Sequence, residues 1–324
     1  CQLTSYANCQ TFLTYSVSLY PAALATANSQ TVCNGTAALL TSTVNNGAGT
    51  YSWSPGGGAG SSLSPSPSST TVYTVTYTDS NGCQDTALGR VTVNPLPSML
   101  TPSNVIVCNN GIVPASAFSS TVVGTTFNWT NSNTSIGLPS NGSANTPSFT
   151  AINSGASSVN AIISVTPTAN SCVGPPVSYT IIVNPIPNVN AVPNATYCAG
   201  VTVPATNFTG SVTATTYSWS NTNSAIGLGT SGTGNIASYG ATNASASGIA
   251  GVITVTPSAN TCIGTPTNFT VNVNPIPTVN AIPSATYCSG VSVPATTFTG
   301  NVTGTVFNWT NSNTSIGAPS SGIG

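Results

Sequence analysis

Self-similarity at a fixed period constrains this chain more than any other feature. The connector Asn94-Pro95-Leu96-Pro97 returns as Asn184-Pro185-Ile186-Pro187 and Asn274-Pro275-Ile276-Pro277, 90 residues apart each time. Cys108, Cys198 and Cys288 keep that step, as do Cys172 and Cys262, and as do Trp129, Trp219 and Trp309. The eleven residues Phe127 to Gly137, FNWTNSNTSIG, recur unchanged from Phe307 to Gly317. Residues 21–94 read as a shorter, diverged copy, with Cys33, Trp53 and Cys83 in the places of Cys108, Trp129 and Cys172.

The two ends read as incomplete copies. Cys9 precedes Cys33 by 24 residues, as Cys83 precedes Cys108 by 25, so residues 1–20 look like the last strand of an earlier domain. Residues 275–324 hold Cys288 and Trp309 but no second cysteine. Either a longer repetitive polypeptide has been cut, or the unfinished half is completed by strands from a neighbouring chain, as in strand addition. A full last copy needs about 40 further residues and the N-terminal tail supplies about half, which favours the cut. The expected division is 1–20, 21–94, 95–184, 185–274 and the incomplete 275–324.

Alternation with a period of two marks half-buried strands. Tyr73, Val75 and Tyr77 oppose Thr74, Thr76 and Thr78; Val177, Tyr179, Ile181 and Val183 alternate before one connector, and Phe269, Val271 and Val273 before the next. Helical periodicity is missing, and so are most good helix formers, so no long helix is expected. The fold class is all-β: tandem β-sandwich domains joined by short Pro-rich connectors. Two prolines in three residues restrict φ and favour an extended backbone, so the domains are expected to line up as a rod.

Composition removes several functions. The chain has 324 residues, with one Lys or Arg, two Asp or Glu, and no His. Neutralising phosphates takes clusters of Lys and Arg, so no nucleic-acid partner is expected. Acid–base catalysis would have to rest on Asp79 and Asp85, and no enzyme activity, catalytic residue or cofactor is expected. The segment Asp79-Ser80-Asn81-Gly82-Cys83-Gln84-Asp85 offers oxygen ligands to a calcium ion on paper, but reads better as an Asn-Gly hairpin turn. No Cys-x2-Cys spacing exists for zinc, so no metal site is expected. No apolar run reaches the roughly 18 residues that span a bilayer. Near-zero net charge removes the repulsion that keeps soluble chains apart, which favours self-association into a homopolymer.

Each copy sets a cysteine near a strand start, an aromatic-x-Trp pair about twenty residues on, and a second cysteine before the closing strand. This order resembles immunoglobulin-type sandwiches, in which a core Trp packs on an inter-sheet disulfide. The resemblance implies bridges Cys33 to Cys83, Cys108 to Cys172 and Cys198 to Cys262, with Trp53, Trp129, Trp219 and Trp309 in the cores. Cys1, Cys9 and Cys288 are then unpaired, Cys9 and Cys288 awaiting absent segments. Such bridges imply an oxidising, extracellular compartment.

The aromatic-x-Trp strand, the turns Val165-Thr166-Pro167 and Val255-Thr256-Pro257, and the Val-Asn-Pro-Ile-Pro boundaries at 183–187 and 273–277 resemble the PKD-like and Ig-like repeat modules of large secreted surface proteins of Bacteroidota, including gliding-motility-associated adhesins. That resemblance implies secretion, a cell-surface location and a structural or adhesive role. Eleven Asn-x-Ser/Thr triplets match what 36 Asn and 99 Ser plus Thr produce by chance, so they identify no glycan site. Asp85-Thr86-Ala87 resembles a Bacteroidota O-glycosylation pattern, which makes Thr86 a candidate in a glycoprotein. Two functions are expected to compete: an extracellular stalk or filament, and an adhesin whose sandwich loops bind surface glycans or receptors. Loop 130–137, repeated unchanged at 310–317, fits a spacer better than copy-specific recognition.

Overall fold

The computed structural model describes residues 2–4, 10–12, 14–45 and 47–324. Their regular structure is β, apart from 3-10 turns of three residues, and the strands assemble into tandem Ig-like sandwiches.

The middle repeat shows the plan. Val105–Cys108, Val177–Asn184, Val159–Ala169, Thr126–Asn131 and Asn141–Ser143 lie side by side in that order, and the short Cys172–Val173 pairs with Val159–Ala169. A second layer pairs Ile112–Val113 with Phe149–Thr150. All neighbours run antiparallel except Val105–Cys108, which runs parallel to Val177–Asn184, with Cys108 opposite Asn184. The repeat containing Ala195–Cys198 through Thr267–Asn274 copies this sheet order. The first repeat keeps the parallel pair, Gln30–Cys33 against Gln84–Asn94, in a four-stranded sheet faced by three short strands.

Alternating apolar residues form these strands because only one face of each is covered. Along Val177–Asn184, Tyr179, Ile181 and Val183 point inward and are buried. Beside them on the same sheet face stand Ile163 and Val165 of the neighbouring strand, with Trp129, Ile136 and Leu138 in the same core. The next repeat builds the same interior from Ile226, Leu228, Ile253, Val255, Phe269 and Val271. Each fully buried aliphatic or aromatic side chain contributes about 1.5–3 kcal/mol.

The recurring SNTSIG segment has a clear structural use. Asn133 accepts the Ser135 N–H and caps the turn Thr134–Ile136, which drives Ile136 into the core, and Gly137 closes it at φ 97°, a left-handed conformation that favours glycine. Just before it, buried Asn131 donates to the carbonyls of Leu138 and Pro139 at 2.9 and 3.2 Å and accepts the Asn133 N–H at 3.0 Å. Asn221 and Asn311 repeat the bond to the carbonyl seven residues on. Buried amides of this kind hold the loop against the sheet because leaving those carbonyls dry and unpaired would cost about 1–3 kcal/mol each.

The tryptophans fall on inward positions. Trp53 and Trp129 are buried, Trp219 and Trp309 partly so. Trp53 donates through Nε1 to the Gly60 carbonyl at 2.9 Å, whereas Nε1 of Trp129 and of Trp219 is buried without a hydrogen-bond partner. No helix among the described residues is long and apolar enough to cross a membrane.

Candidate functional site at the repeat joints

The cysteine pairing differs from the expected one. Cys33 is bonded to Cys172 and Cys108 to Cys262, so each bridge joins the first cysteine of one repeat to the second cysteine of the next. None of the expected pairs, Cys33 to Cys83, Cys108 to Cys172 and Cys198 to Cys262, is present. The reason lies in the parallel strand. Cys33 pairs across from Asn94 at the end of Gln84–Asn94, while Cys83 stands just before that strand begins. An eleven-residue strand therefore separates them, roughly 35 Å at about 3.3 Å per residue. A disulfide needs Cα atoms within about 7 Å. Cys108 and Cys172 stand at opposite ends of Val177–Asn184 in the same way.

What lies beside Cys33 is the hairpin of the following repeat. Its two-residue turn, Asn170-Ser171, has positive φ at both positions, 50° and 61°, the form that matches strand twist, and it presents Cys172 at the tip. Cys33 and Cys172 then sit 5.5 Å apart at Cα, and Cys108 and Cys262 5.7 Å.

Two further contacts build the joint. Asn94 donates through Nδ2 to the Asn170 carbonyl at 3.3 Å, and Asn184 to the Asn260 carbonyl at 2.9 Å. Beneath the hairpin, Gly174 and Gly264 lie against the carbonyls of Pro97 and Pro187, so close that a Cβ on either would collide with backbone. The Pro-x-Pro connector thus packs on the hairpin of the repeat it enters. The asparagine of the connector closes one side and the disulfide the other.

In the sequence Asn94 and Asn184 stand out only as part of a connector, and their role as amide clamps emerges from the fold. The signal was there in the partner: Asn170-Ser171-Cys172 and Asn260-Thr261-Cys262 keep an Asn-x-Cys turn in register with the Asn-Pro of the preceding connector.

Among the described residues, Cys83, Cys198 and Cys288 carry free thiols. Cys198 stands opposite Asn274, the same pole that is bridged at Cys33 and Cys108, and both are exposed, whereas Asn184 is buried in its joint. Cys1 and Cys9 lie outside the described residues.

Little other chemistry is on offer. Asp79 spends one carboxylate oxygen on the N–H groups of Asn81 and Cys83, both at 2.8 Å, which makes the segment a self-satisfied hairpin turn. No group of three His, Cys, Asp or Glu side chains suited to a metal occurs among the described residues. Thr86 lies exposed on its strand.

Asp85 accepts the Ala25 N–H at 2.7 Å, and that bond, followed by one from Thr86, holds its carboxyl below the ordinary range. Desolvation pushes the phenols of Tyr77, Tyr217 and Tyr239 upward. The lowered carboxyl contributes stability that is whole above the unfolded value and lost as pH falls through the folded one. The raised phenols contribute stability that is whole below the unfolded phenol value and lost as pH climbs toward the folded one. Thermal unfolding should therefore be nearly flat from about pH 5 to pH 9 and fall outside that window. A melting temperature that drifts steadily across the window would contradict this.

No family model matches the chain, and no curated protein sequence does. Among solved structures it is similar to the titin domains I67–I69, at 12% identity and TM-score 0.45 over 77% of this chain and 96% of that one. Immunoglobulin domains 1–4 of Sidekick-1 match at 17% identity and TM-score 0.34, covering 76% of this chain and 74% of that one. Mouse cadherin-23 EC22–24 matches at 10% identity and TM-score 0.32, covering 76% and 96%.

Proposed function

We propose that this chain is a non-catalytic structural repeat protein of the cell exterior, whose domains 21–94, 95–184 and 185–274 and half-domain 275–324 form part of a stalk or filament, in the manner of the Bacteroidota surface modules it resembles. The observation that carries the reading is the placement of both bridges between repeats. A disulfide inside a domain protects that domain. A disulfide from each repeat to the next fixes the angle between them, which serves a protein whose work depends on length and stiffness.

The same bonds support a secreted location, because structural disulfides persist where the surroundings are oxidising. A surface of hydroxyls and amides with almost no charge lets copies associate without repulsion, and Thr86 is its candidate glycan site. The adhesin reading would need a loop that differs between repeats; the turns Thr134–Ile136 and Thr314–Ile316 have the same sequence.

Negative-stain microscopy of the oxidised protein tests this. Straight rods or filaments of constant width are expected. Beads bending freely at each connector would sink the stalk reading, and glycan-array binding lost on a single-loop mutation would replace it with the adhesin.

A further inference from the structure

The outward face of the large sheet is a grid of hydroxyls and amides. In the middle repeat Thr130, Ser164 and Ser178 stand side by side on three strands, and Asn128 and Thr166 form the next row. The repeat that follows sets Ser220, Thr254 and Asn268 in one row and Ser218 and Thr256 in the next. None of these side chains has a hydrogen-bond partner among the described residues. Rows lie about 6.8 Å apart along the strands and about 4.8 Å separates neighbours across them. The aromatic rings of the same strands, Trp129, Tyr179, Trp219 and Phe269 among them, take the alternate positions and face the cores. Residues 95–274 hold no charged side chain at all.

In the middle repeat this face ends in apolar residues. Ile162, two positions from Ser164, is 52% exposed, and Ile106 is 62% exposed beside Ile182 on the parallel edge pair. The following repeat has Val252, Thr196 and Asn272 at these places. Outward sheet faces usually carry long charged side chains, which keep other chains off by repulsion and by the rotamer freedom that contact would remove. Ser and Thr have little such freedom to lose, and Thr is already stiff at χ1. A hydroxyl or an amide both donates and accepts, so a face made of them complements a copy of itself, which a face of one charge does not. A neutral polysaccharide offers the same groups, but sugars bury their apolar faces on aromatic rings, and the rings here are turned inward. The fitting occupant is a second copy of the chain.

We propose, resting on the stalk reading above, that this sheet face of the middle repeat is a lateral contact between two copies of the chain, laid face to face about a two-fold axis. Ile106, Ile162 and Ile182 of both copies leave water together and supply the drive, because burying apolar surface is favourable whereas exchanging water for protein at a hydroxyl changes little. Ser164, Thr166 and their neighbours find partners on the opposite face and set the register. Side chains this short let two sheets approach to about 10 Å with their strands about 30° apart. The bridges hold the next repeat, with Thr254 and Thr256 on its outward face, at a fixed step from the first. A pair matched at one repeat therefore meets the next contact with little further loss of freedom. Stalks joined in this way thicken in pairs, and because no charge takes part the contact is indifferent to salt.

A charge swap on the full oxidised chain, read by sedimentation velocity and negative-stain microscopy, decides the matter. The unchanged chain is expected to form side-by-side pairs equally well at about 0.05 M and about 0.5 M salt. Ile162→Lys with Thr166→Lys, and separately Ile162→Glu with Thr166→Glu, should each need at least tenfold more protein to pair. Mixing the two variants should restore pairing, now lost at high salt. Ser154→Lys with Ala244→Lys, at exposed loop positions away from the grid, should pair like the unchanged chain. Retained Cys33–Cys172 and Cys108–Cys262 peptides and unchanged β circular dichroism report folding, and Ser178→Lys against Ser178→Glu repeats the swap at an exposed position should the doubled variants fold poorly. Straight single rods that never pair, pairs that survive either charged variant, or variants that mixing does not rescue would overturn the inference and leave the stalk reading intact. Retention on microcrystalline cellulose by chains that do not pair would overturn it in favour of a glycan face. Beads bending freely at each connector would sink both.

Discussion

Breaking the two inter-repeat bridges, by reduction or by C33S with C108S, is expected to uncouple the repeats while leaving each sandwich folded. The cores contain no disulfide and are closed by Trp53, Trp129 and the buried strands around them. Each bridge closes a span of 139 or 154 residues, which in the chain-entropy account lowers the disorder of the unfolded chain by the equivalent of about 5 kcal/mol. Calorimetry should show one cooperative transition when oxidised and separate, lower transitions when reduced. Small-angle scattering should show a broader spread of inter-repeat distances at unchanged β circular dichroism. Loss of all β signal on reduction at room temperature would mean that the bridges hold the domains themselves, and no change in either measurement would mean that they hold nothing.

Truncation of Trp129 is expected to have the second large effect, and a local one. The indole is buried between Val165 of the neighbouring strand and Gly142 of the next, and a Cβ placed on Gly142 would strike its ring. Trp129→Ala should cost about 3–5 kcal/mol and unfold the middle repeat first. Trp129→Phe should cost much less, because the buried Nε1 it removes has no partner to lose. Gly142→Ala should destabilise in the same direction as the Ala truncation, through overpacking by about 1–3 kcal/mol. Equal losses for the Phe and Ala variants in urea unfolding would show that the indole nitrogen matters in a way its surroundings do not explain.

Much of the architecture was readable from the chain. Alternation at Tyr179, Ile181 and Val183 identified a half-buried strand because a sheet covered on one face leaves that imprint. The 90-residue step located the equivalent positions because a solenoid-like array reuses one core. Cysteine pairing was not readable in the same way. Cys108 is followed by Cys172 at a distance in sequence that suits a domain staple as well as any other partner; only the direction of Val105–Cys108, parallel to the closing strand, sends its end to the far pole. Strand direction at an edge is a tertiary outcome that no local pattern encodes. Asn131 escaped notice for another reason: asparagine is mostly an exposed residue, and its burial depends on carbonyls seven and eight positions on turning back toward it.

The bridges also interleave, since the span from Cys33 to Cys172 overlaps the span from Cys108 to Cys262. Pulled from its ends, an oxidised chain cannot pay out its whole length. Between Cys33 and Cys262 the shortest covalent route crosses one bridge, runs back along the about 64 residues from Cys172 to Cys108, and crosses the other. Its reach is about 220 Å, against about 800 Å for the roughly 230 residues of unbridged chain. Even with every sandwich torn open, the stretch from Cys33 to Cys262 would come up taut at little more than a quarter of its contour, as a rope does when knotted back on itself.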